Sequence, residues 1–180
     1  MESVLYTQYK SEIVPALMEE LGYANIMEVP RVEKIVVNVG YGKHVKDAAF
    51  IENVEQTLAS ITGQKPVHNK AKKSISNFKI REGMDIGMSV TLRGKNMYEF
   101  LYKIIHLTLP RVRDFRGVSA KAMDRQGSYT LGMKEHIAFP EVTGGNVEKQ
   151  HGLQVVITTT AKNQQEGMAL LKKIGIPFQK

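Results

Sequence analysis

The chain has 180 residues, of which 42 % are hydrophobic and 24 % charged, a balance typical of one globular domain with a sizeable core. It contains no cysteine, which excludes disulfides and thiolate metal sites and suits a reducing compartment. No apolar run approaches the ~20 residues that span a bilayer. The N-terminus also lacks the apolar segment of a signal peptide, so we expect a cytoplasmic protein that does not contact a membrane.

The chain begins with a predicted helix followed by a predicted strand. Apolar residues recur at helical spacing over residues 3–21, and Gly22 supplies a stop signal. Pro15 lies within this pattern, so we expect the helix to be broken or kinked near it, or to begin there. The β-branched run within residues 31–40, RVEKIVVNVG, is typical of a well-buried strand.

The rest of the chain alternates between helices and groups of strands. Asp47 and Gly63 are placed as the start and stop of the second helix, and residues 111–127 are predicted to be mostly loop. The predicted elements are a helix over 47–61, a short strand at 65–68, a strand at 87–93, a helix over 96–109 that Pro110 ends, strands at 129–133 and 153–160, and a helix that starts near Asn163. This order favours the α+β class, with helices packed on one face of a mostly antiparallel sheet, in a single domain over residues 1–180.

Positive charge is concentrated in the middle third of the chain. The net charge is +7, and residues 65–125 contain 14 Lys and Arg against 5 Asp and Glu, whereas the other residues contain 11 against 13. Such an asymmetry is typical of a protein that binds a polyanion, with nucleic acid as the first candidate.

Motifs for catalysis, cofactors and metals are weak or missing. Residues 37–43, VNVGYGK, place a Gly-x-Gly after a strand, but position 45 is Val where a dinucleotide fingerprint needs Gly. The five histidines are scattered without the spacing of metal ligands. We therefore expect no enzyme, no cofactor and no metal site, and a nucleotide-dependent enzyme built on residues 37–43 stays the alternative.

Two basic stretches contain the chemistry that RNA binding needs, which is cations for phosphates and flat rings for unpaired bases. The first, NKAKKSISNFKIREG at residues 69–83, contains Phe78 among five cations, and the second, LPRVRDFRG at 109–117, contains Phe115 among three arginines. Ile75 and Phe78 cannot both face one core from a strand, which favours a loop. A hairpin with Phe78 tucked into the core is an equal alternative.

The sequence resembles the bacterial large-subunit ribosomal protein family that carries 5S rRNA, the "L-five" family. The resemblance covers essentially the whole chain, in the right order and spacing. The segments that carry it are PRVEKIVVNVGYG (30–42), TGQKPVHNKAKKSISNFKIREGMDIGMSVTLRG (62–94), LPRVRDFRGVS (109–119) and TTTAKNQQEGMALLKKIGIPF (158–178).

The resemblance implies an α+β protein in the central protuberance that binds 5S rRNA through one face of its sheet and adjoining loops. It assigns the RNA contact to the polar residues Asn38, Gln64 and Thr91, with Lys65 and Arg93 beside them. Short hydrogen-bonding side chains suit sugar hydroxyls and base edges. From the sequence alone, Asn38 and Thr91 read as a strand-end residue and an ordinary strand residue.

The resemblance also implies that a protruding basic loop, residues 70–82, reaches the tRNA in the P site. The residues expected to contact tRNA are Lys70, Lys72, Lys73, Ser74, Asn77, Phe78, Lys79 and Arg81. A bridge to a small-subunit head protein, number thirteen in bacterial nomenclature, is expected at Arg111, Arg113 and Arg116 or in the stretch 140–152. Further expected partners are 23S rRNA and the neighbouring proteins of the central protuberance, and a non-ribosomal RNA chaperone remains a third alternative.

Overall fold

A computed structural model describes residues 3–142 and 150–179, and in it five strands form one antiparallel sheet with the order β2-β3-β1-β5-β4. The strands are β1 (Val32–Gly40), β2 (Val67–Lys70), β3 (Asp85–Leu92), β4 (Tyr129–Met133) and β5 (Leu153–Thr159). Helices separate the strand groups, so the prediction of an α+β protein with an antiparallel sheet is confirmed.

The helices lie close to their predicted positions. The α-helical segments are α1 (Val4–Gln8), α2 (Val14–Leu21), α3 (Ala48–Thr62), α4 (Gly94–Lys103), α5 (Leu109–Arg111) and α6 (Gln164–Ile174). Short 3-10 turns occur at Ile26–Glu28, Gly42–His44, Ser76–Phe78, Ala120–Ala122 and His136–Ala138. None of the helices within the described ranges is long and apolar enough to cross a membrane.

A π-helical turn precedes each of the two prolines that lie in helices. Tyr9–Ile13 joins α1 to α2, in whose first turn Pro15 lies, and Ile104–Thr108 joins α4 to α5, in whose first turn Pro110 lies. Proline removes a backbone donor and crowds the carbonyl four residues earlier, and a wider turn accommodates both effects. The predicted interruption near Pro15 is confirmed, whereas the prediction that Pro110 ends its helix is wrong because the helix continues to Arg111.

The chain divides into two compact units. One comprises Met1–Ile35, Leu92–Leu131 and Val156–Lys180, and the other comprises Val36–Thr91 and Gly132–Val155. The first unit contains every α-helix described above except α3, and there α1 packs against α4 and α2 against α6. The second unit contains α3 and β2. The single domain predicted from the sequence stays a prediction.

Alternate residues of the central strands have different surroundings. Ile35, Val37 and Val39 of β1 are fully buried, whereas Val36 and Asn38 between them are only half-buried. Strand β3 repeats the pattern, since Met88, Val90 and Leu92 are buried and the residues between them are not. Side chains alternate between the two faces of a strand, so one face of these strands packs on the core and the other is open.

Candidate nucleic-acid interface

In the second unit, the open face of the sheet has short polar side chains. Asn38 lies on β1, Ser89 and Thr91 on β3, and Asn69 on β2. Thr91 is exposed and the other three are half-buried. Asn38, Ser89 and Thr91 alternate with buried residues along their strands, and Asn69 lies on β2, which pairs with β3. The alternation that builds the core therefore also presents these groups to solvent. We call Asn38, Asn69, Ser89 and Thr91 the polar face.

The pairing of the strands brings members of the polar face together. The Tyr41 N–H donates to the Ile86 carbonyl at 3.0 Å, and stepping along β1 and β3 from this bond places Ser89 opposite Asn38. Val67 of β2 pairs with Ser89 from the other side. Asn38 and Ser89 therefore lie in one row across the strands, with Thr91 two residues further along β3 on the same face.

Two members of the polar face have unused hydrogen-bonding capacity. The Ser89 hydroxyl donates to the Asn69 Oδ1 at 3.2 Å, so these two side chains satisfy each other. The side chains of Asn38 and Thr91 make no hydrogen bond to any residue within 3–142 or 150–179. Groups of this kind are available to a nucleic-acid ligand, because they lose no internal bond when they bind it.

The backbone of the neighbouring strand leaves no room for a side chain at Gly87. A Cβ added to Gly87 would lie 2.9 Å from the Val39 carbonyl oxygen and 3.6 Å from the Gly40 Cα. No side chain fits there without a shift of the backbone, and Gly40, the neighbour across the strand, has no side chain either. Gly87 itself is buried, whereas Gly40 is exposed and leaves bare backbone near Asn38, where a flat ligand can approach closely.

The other predicted contact residues lie away from the strands. Gln64 and Lys65 lie in the link between α3 and β2, where the Thr62 hydroxyl donates to the Gln64 carbonyl at 3.2 Å. Lys65 is exposed and Gln64 half-buried. Arg93 belongs to the first unit, and its guanidinium lies 3.9 Å from the Glu33 carboxylate. Exposed ion pairs of this kind contribute little to the stability of the fold.

The basic loop was predicted over residues 70–82; between β2 and β3 it spans residues 71–84, and hydrogen bonds close it at its base. The Ala71 N–H donates to the Met84 carbonyl at 2.8 Å, and the Gly83 N–H donates to the Ala71 carbonyl at 3.0 Å. Ala71 is buried, and the Glu82 N–H donates to the Ser74 hydroxyl at 2.9 Å. The loop is thus an ordered structure anchored on β2 and β3. Lys70, predicted as part of it, is the last residue of β2.

At the tip of the loop, Ile75 and Ile80 pair as an isolated antiparallel bridge, with hydrogen bonds of 2.9 and 3.2 Å. The residues between them form a 3-10 turn, Ser76–Phe78, followed by Lys79 in the left-handed conformation with φ of 56°. Phe78 is 69 % exposed. The alternative in which Phe78 tucks into the core is therefore wrong, and the interpretation of this segment as a loop is confirmed.

The cations of the basic loop are free of internal ion pairs. Lys72, Lys73, Lys79 and Arg81 are all exposed, and within the described part of the chain none of them lies in an ion pair. Asn77 is exposed as well. The field of these cations is directed into solvent, as a phosphate-binding surface requires.

A polar network that the sequence did not predict lies behind the base of the loop. The buried Tyr41 hydroxyl is 3.3 Å from the His68 Nδ1, and the His68 Nε2 is 3.9 Å from a Glu55 carboxylate oxygen. Burial raises the pKa of Tyr41, and the charges of Asp85 and Glu55 raise it further. The network ties β1, β2 and α3 together beside the loop. Its members are far apart in sequence, so no local motif could have revealed it.

The second basic stretch, in the first unit, begins with the short helix α5 (Leu109–Arg111) and continues as a loop. Arg111, Arg113 and Arg116 are exposed and make no ion pair with any described residue. The loop ends where Val118 pairs with Phe178, and the Gln179 side chain donates to the Gly117 carbonyl at 3.1 Å. The alternative bridge segment, residues 140–152, lies largely outside the described residues, since 143–149 are not among them.

The structure does not support the alternative of a nucleotide-dependent enzyme on residues 37–43. The glycines lead into a 3-10 turn, Gly42–His44, and the next α-helix begins only at Ala48. A dinucleotide site needs a helix N-terminus directly after the glycines and a parallel sheet, whereas this sheet is antiparallel. Over residues 3–142 and 150–179, no group of three or more His, Asp or Glu residues could hold a metal ion.

Comparisons with known proteins match nearly the whole chain to one family. A family model described as "Ribosomal protein L5" matches residues 25–81, and one described as "ribosomal L5P family C-terminus" matches residues 85–178. A protein from Halothermothrix orenii named "Large ribosomal subunit protein uL5" is 58 % identical over 176 residues, 98 % of each chain. A protein of the same name from Desulfatibacillum aliphaticivorans is 51 % identical over 178 residues, 99 % of each chain.

Proposed function

The chain belongs to the ribosomal protein L5 family, as a structural, non-enzymatic constituent of the large ribosomal subunit, and we propose that within this subunit it anchors 5S rRNA through the polar face. The observation that carries the proposal is the pair of side chains Asn38 and Thr91, which make no hydrogen bond within the described residues and lie on an open sheet face beside the exposed backbone of Gly40. Hydrogen-bonding groups on a flat surface suit the shallow minor groove of an RNA helix, which presents 2′-hydroxyls and base edges.

Three further residues contribute to the same contact in different ways. Gln64 supplies an amide at the entry to β2, while Lys65 and Arg93 supply charge for phosphates. Ser89 and Asn69 support the contact, because their mutual hydrogen bond fixes the surface next to Asn38. This division gives specificity to the neutral groups and salt-dependent affinity to the cations.

The basic loop has a separate role in the proposal, which is contact with the tRNA in the P site. It projects four cations that make no ion pair with a residue the structure describes, and it is distinct in sequence from Asn38. The arginine loop at 111–116 is proposed to contact the small-subunit head protein, because exposed arginines without internal partners suit acidic groups or backbone carbonyls of a protein. Association with 23S rRNA and the neighbouring proteins of the central protuberance completes the proposal.

A filter-binding titration with 5S rRNA tests the main contact. We expect tight, strongly salt-dependent binding of the wild-type chain. Replacing Asn38 with Ala removes one hydrogen bond and should weaken binding by about 1 kcal/mol, roughly fivefold. Ser60→Ala on α3, which truncates an exposed polar side chain away from the polar face, should leave binding unchanged. Circular dichroism of each variant checks that the fold is intact.

The same titration defines the results that contradict the proposal. Equal affinity for an unrelated structured RNA would remove the claim of specificity for 5S rRNA. An Asn38→Ala variant that binds as tightly as Ser60→Ala would move the contact away from the polar face.

A further inference from the structure

We propose that Phe78 is a stacking platform for an unpaired RNA base, so that the basic loop recognises exposed nucleotides rather than phosphates alone. The inference rests on the proposed function of this loop as an RNA contact and names the chemical class of its ligand. It is carried by the exposure of Phe78, the order of the turn that holds it, and the charges around it.

The exposed position of Phe78 does not help to stabilise the folded chain. Phe78 is 69 % exposed, more than Tyr102, which is 40 % exposed. Burying a phenylalanine side chain is favourable relative to leaving it in water. A hydrophobic ring at the tip of a cationic loop contributes little of this to folding, so the gain is available to a ligand.

The turn fixes the backbone that carries the ring before any ligand arrives. Two hydrogen bonds join Ile75 and Ile80, and the Lys79 N–H donates to the Ser76 carbonyl at 3.0 Å. Lys79 adopts a φ of 56°, a conformation that few non-glycine residues take. Because the backbone of the turn is already ordered, no loop-ordering cost is added when a base stacks on the ring, which preserves affinity.

The charges around the ring favour RNA over an apolar protein pocket or a membrane. Lys79 follows Phe78 directly, and Lys72, Lys73 and Arg81 lie in the same loop without ion pairs within the described residues. Glu82 is the one acidic residue in the segment 69–83. Proteins that bind single-stranded nucleic acids combine aromatic side chains, on which bases stack, with cations that contact the phosphates.

The chain offers a direct reporter for this contact because it contains no tryptophan. Phe78→Trp keeps a flat ring and introduces a single indole at the proposed platform. The probe is an RNA hairpin with an unpaired loop that contains 2-aminopurine, compared with a duplex of the same length. We expect the hairpin to bind this variant as tightly as it binds the wild type and to quench the indole fluorescence. We expect the duplex to bind the variant more weakly and to leave the indole fluorescence unchanged.

A leucine variant separates stacking from apolar contact. Base stacking on an aromatic side chain is worth about 1–3 kcal/mol, so Phe78→Leu should weaken hairpin binding about tenfold and leave the slope of affinity against salt unchanged. Lys79→Gly, which suits the left-handed turn, should instead reduce that slope by about 1. Tyr102→Leu, an exposed aromatic outside the loop, is the matched control and should have no effect.

The outcomes separate this inference from the proposed function. Equal hairpin binding by Phe78→Leu and the wild type overturns stacking. Stacking is also overturned if the duplex, and not the hairpin, quenches the indole fluorescence of Phe78→Trp. Binding of anionic lipid vesicles that Phe78→Leu abolishes, with hairpin binding unchanged, assigns the ring to a membrane instead. Binding of 5S rRNA, measured on the same variants, should not change, and its absence in wild type would overturn the proposed function and leave the stacking result to stand alone.

Discussion

At the scale of single residues, position decides what a polar side chain can do. Asn38 lies in a β-branched run that could have buried it, and the alternation of β1 turns it to the open face instead. The sequence predicted this strand because a β-branched run is a strong local signal, but it predicted a well-buried strand and not that one face would be open. It could not predict that Ser89 would lie opposite, since pairing between strands is not written in either strand alone.

Phe78 illustrates the limit of residue patterns in loops. Parity along a strand showed that Ile75 and Phe78 cannot share a face, and so favoured a loop. Burial of the ring depends on long-range packing, on which parity says nothing. Only the structure, with its Ile75–Ile80 bridge and exposed ring, decides between the two alternatives.

Tyr98 provides a residue-scale prediction for the pH dependence of stability. Burial, with smaller contributions from Tyr9 and Tyr6, raises the pKa of the Tyr98 phenol to about 12, against a usual value of 10.0. The folded chain therefore retains a proton that the unfolded chain releases. Its stability contribution is complete below pH 10.0 and is lost as the pH rises toward about 12.

The variant Tyr98→Phe should show a shallower loss of stability over this range. Urea unfolding of the wild type and the variant at a series of pH values from neutral to 12 measures the difference. Burial also raises the pKa of Tyr9, Tyr41 and Tyr129, so a residual decline is expected in the variant. Parallel curves for the two proteins would show that Tyr98 ionises as easily folded as unfolded.

At the scale of elements, helix starts were more predictable than helix interiors. Asp47 was placed correctly as a cap, and the last helix was predicted to start near Asn163, which is its cap, because capping is chemistry between neighbours. The π-helical turns before Pro15 and Pro110 have no such local code, since a proline more often ends or kinks a helix than follows a widened turn. Strand β2 lies two residues later than predicted because it is exposed on most of its length and lacks an apolar pattern.

The cap of α6 gives a prediction at this scale. The Asn163 Oδ1 accepts from the Glu166 N–H, and the Asn163 Nδ2 donates to the Glu166 carboxylate, both at 2.9 Å. The same carboxylate accepts from the Lys162 N–H at 2.9 Å. Asn163→Ala should therefore cost about 1 kcal/mol of unfolding free energy, measured by urea denaturation.

Asn163→Asp sharpens the test, because Asp and Asn are ordinarily equal as caps. Here Asp keeps the acceptor but replaces the donor with a second carboxylate against nearly buried Glu166, so it should be no more stable than Ala. Gln165→Ala, an exposed neighbour in the same helix, is the control and should change stability little. A fully stable Asn163→Asp variant would show that the amide donor contributes nothing.

At the scale of the whole molecule, the distribution of charge was visible in the sequence and its display was not. The excess of cations in residues 65–125 predicted a polyanion partner. The structure adds that the cations of the basic loop and of the arginine loop stand in solvent without partners among the described residues. The neutral groups Asn38 and Thr91 of the polar face are not part of the basic loop, which allows specificity and electrostatic attraction to be varied independently.

This separation predicts the behaviour of a triple variant in which Lys72, Lys73 and Lys79 are replaced by Ala. Since the polar face is unchanged, 5S rRNA binding should stay nearly intact, whereas chemical footprints of tRNA in the P site of ribosomes that carry the variant should weaken. The control triple, Lys46, Lys134 and Lys172 to Ala, removes the same three charges from exposed positions outside the loop. It should leave the footprints as in wild type, because the proposed tRNA contact depends on local cations and fields from exposed charges are screened beyond about 8 Å at physiological salt. Equal loss of 5S rRNA binding and of the tRNA footprint in the loop variant would place both contacts on one surface.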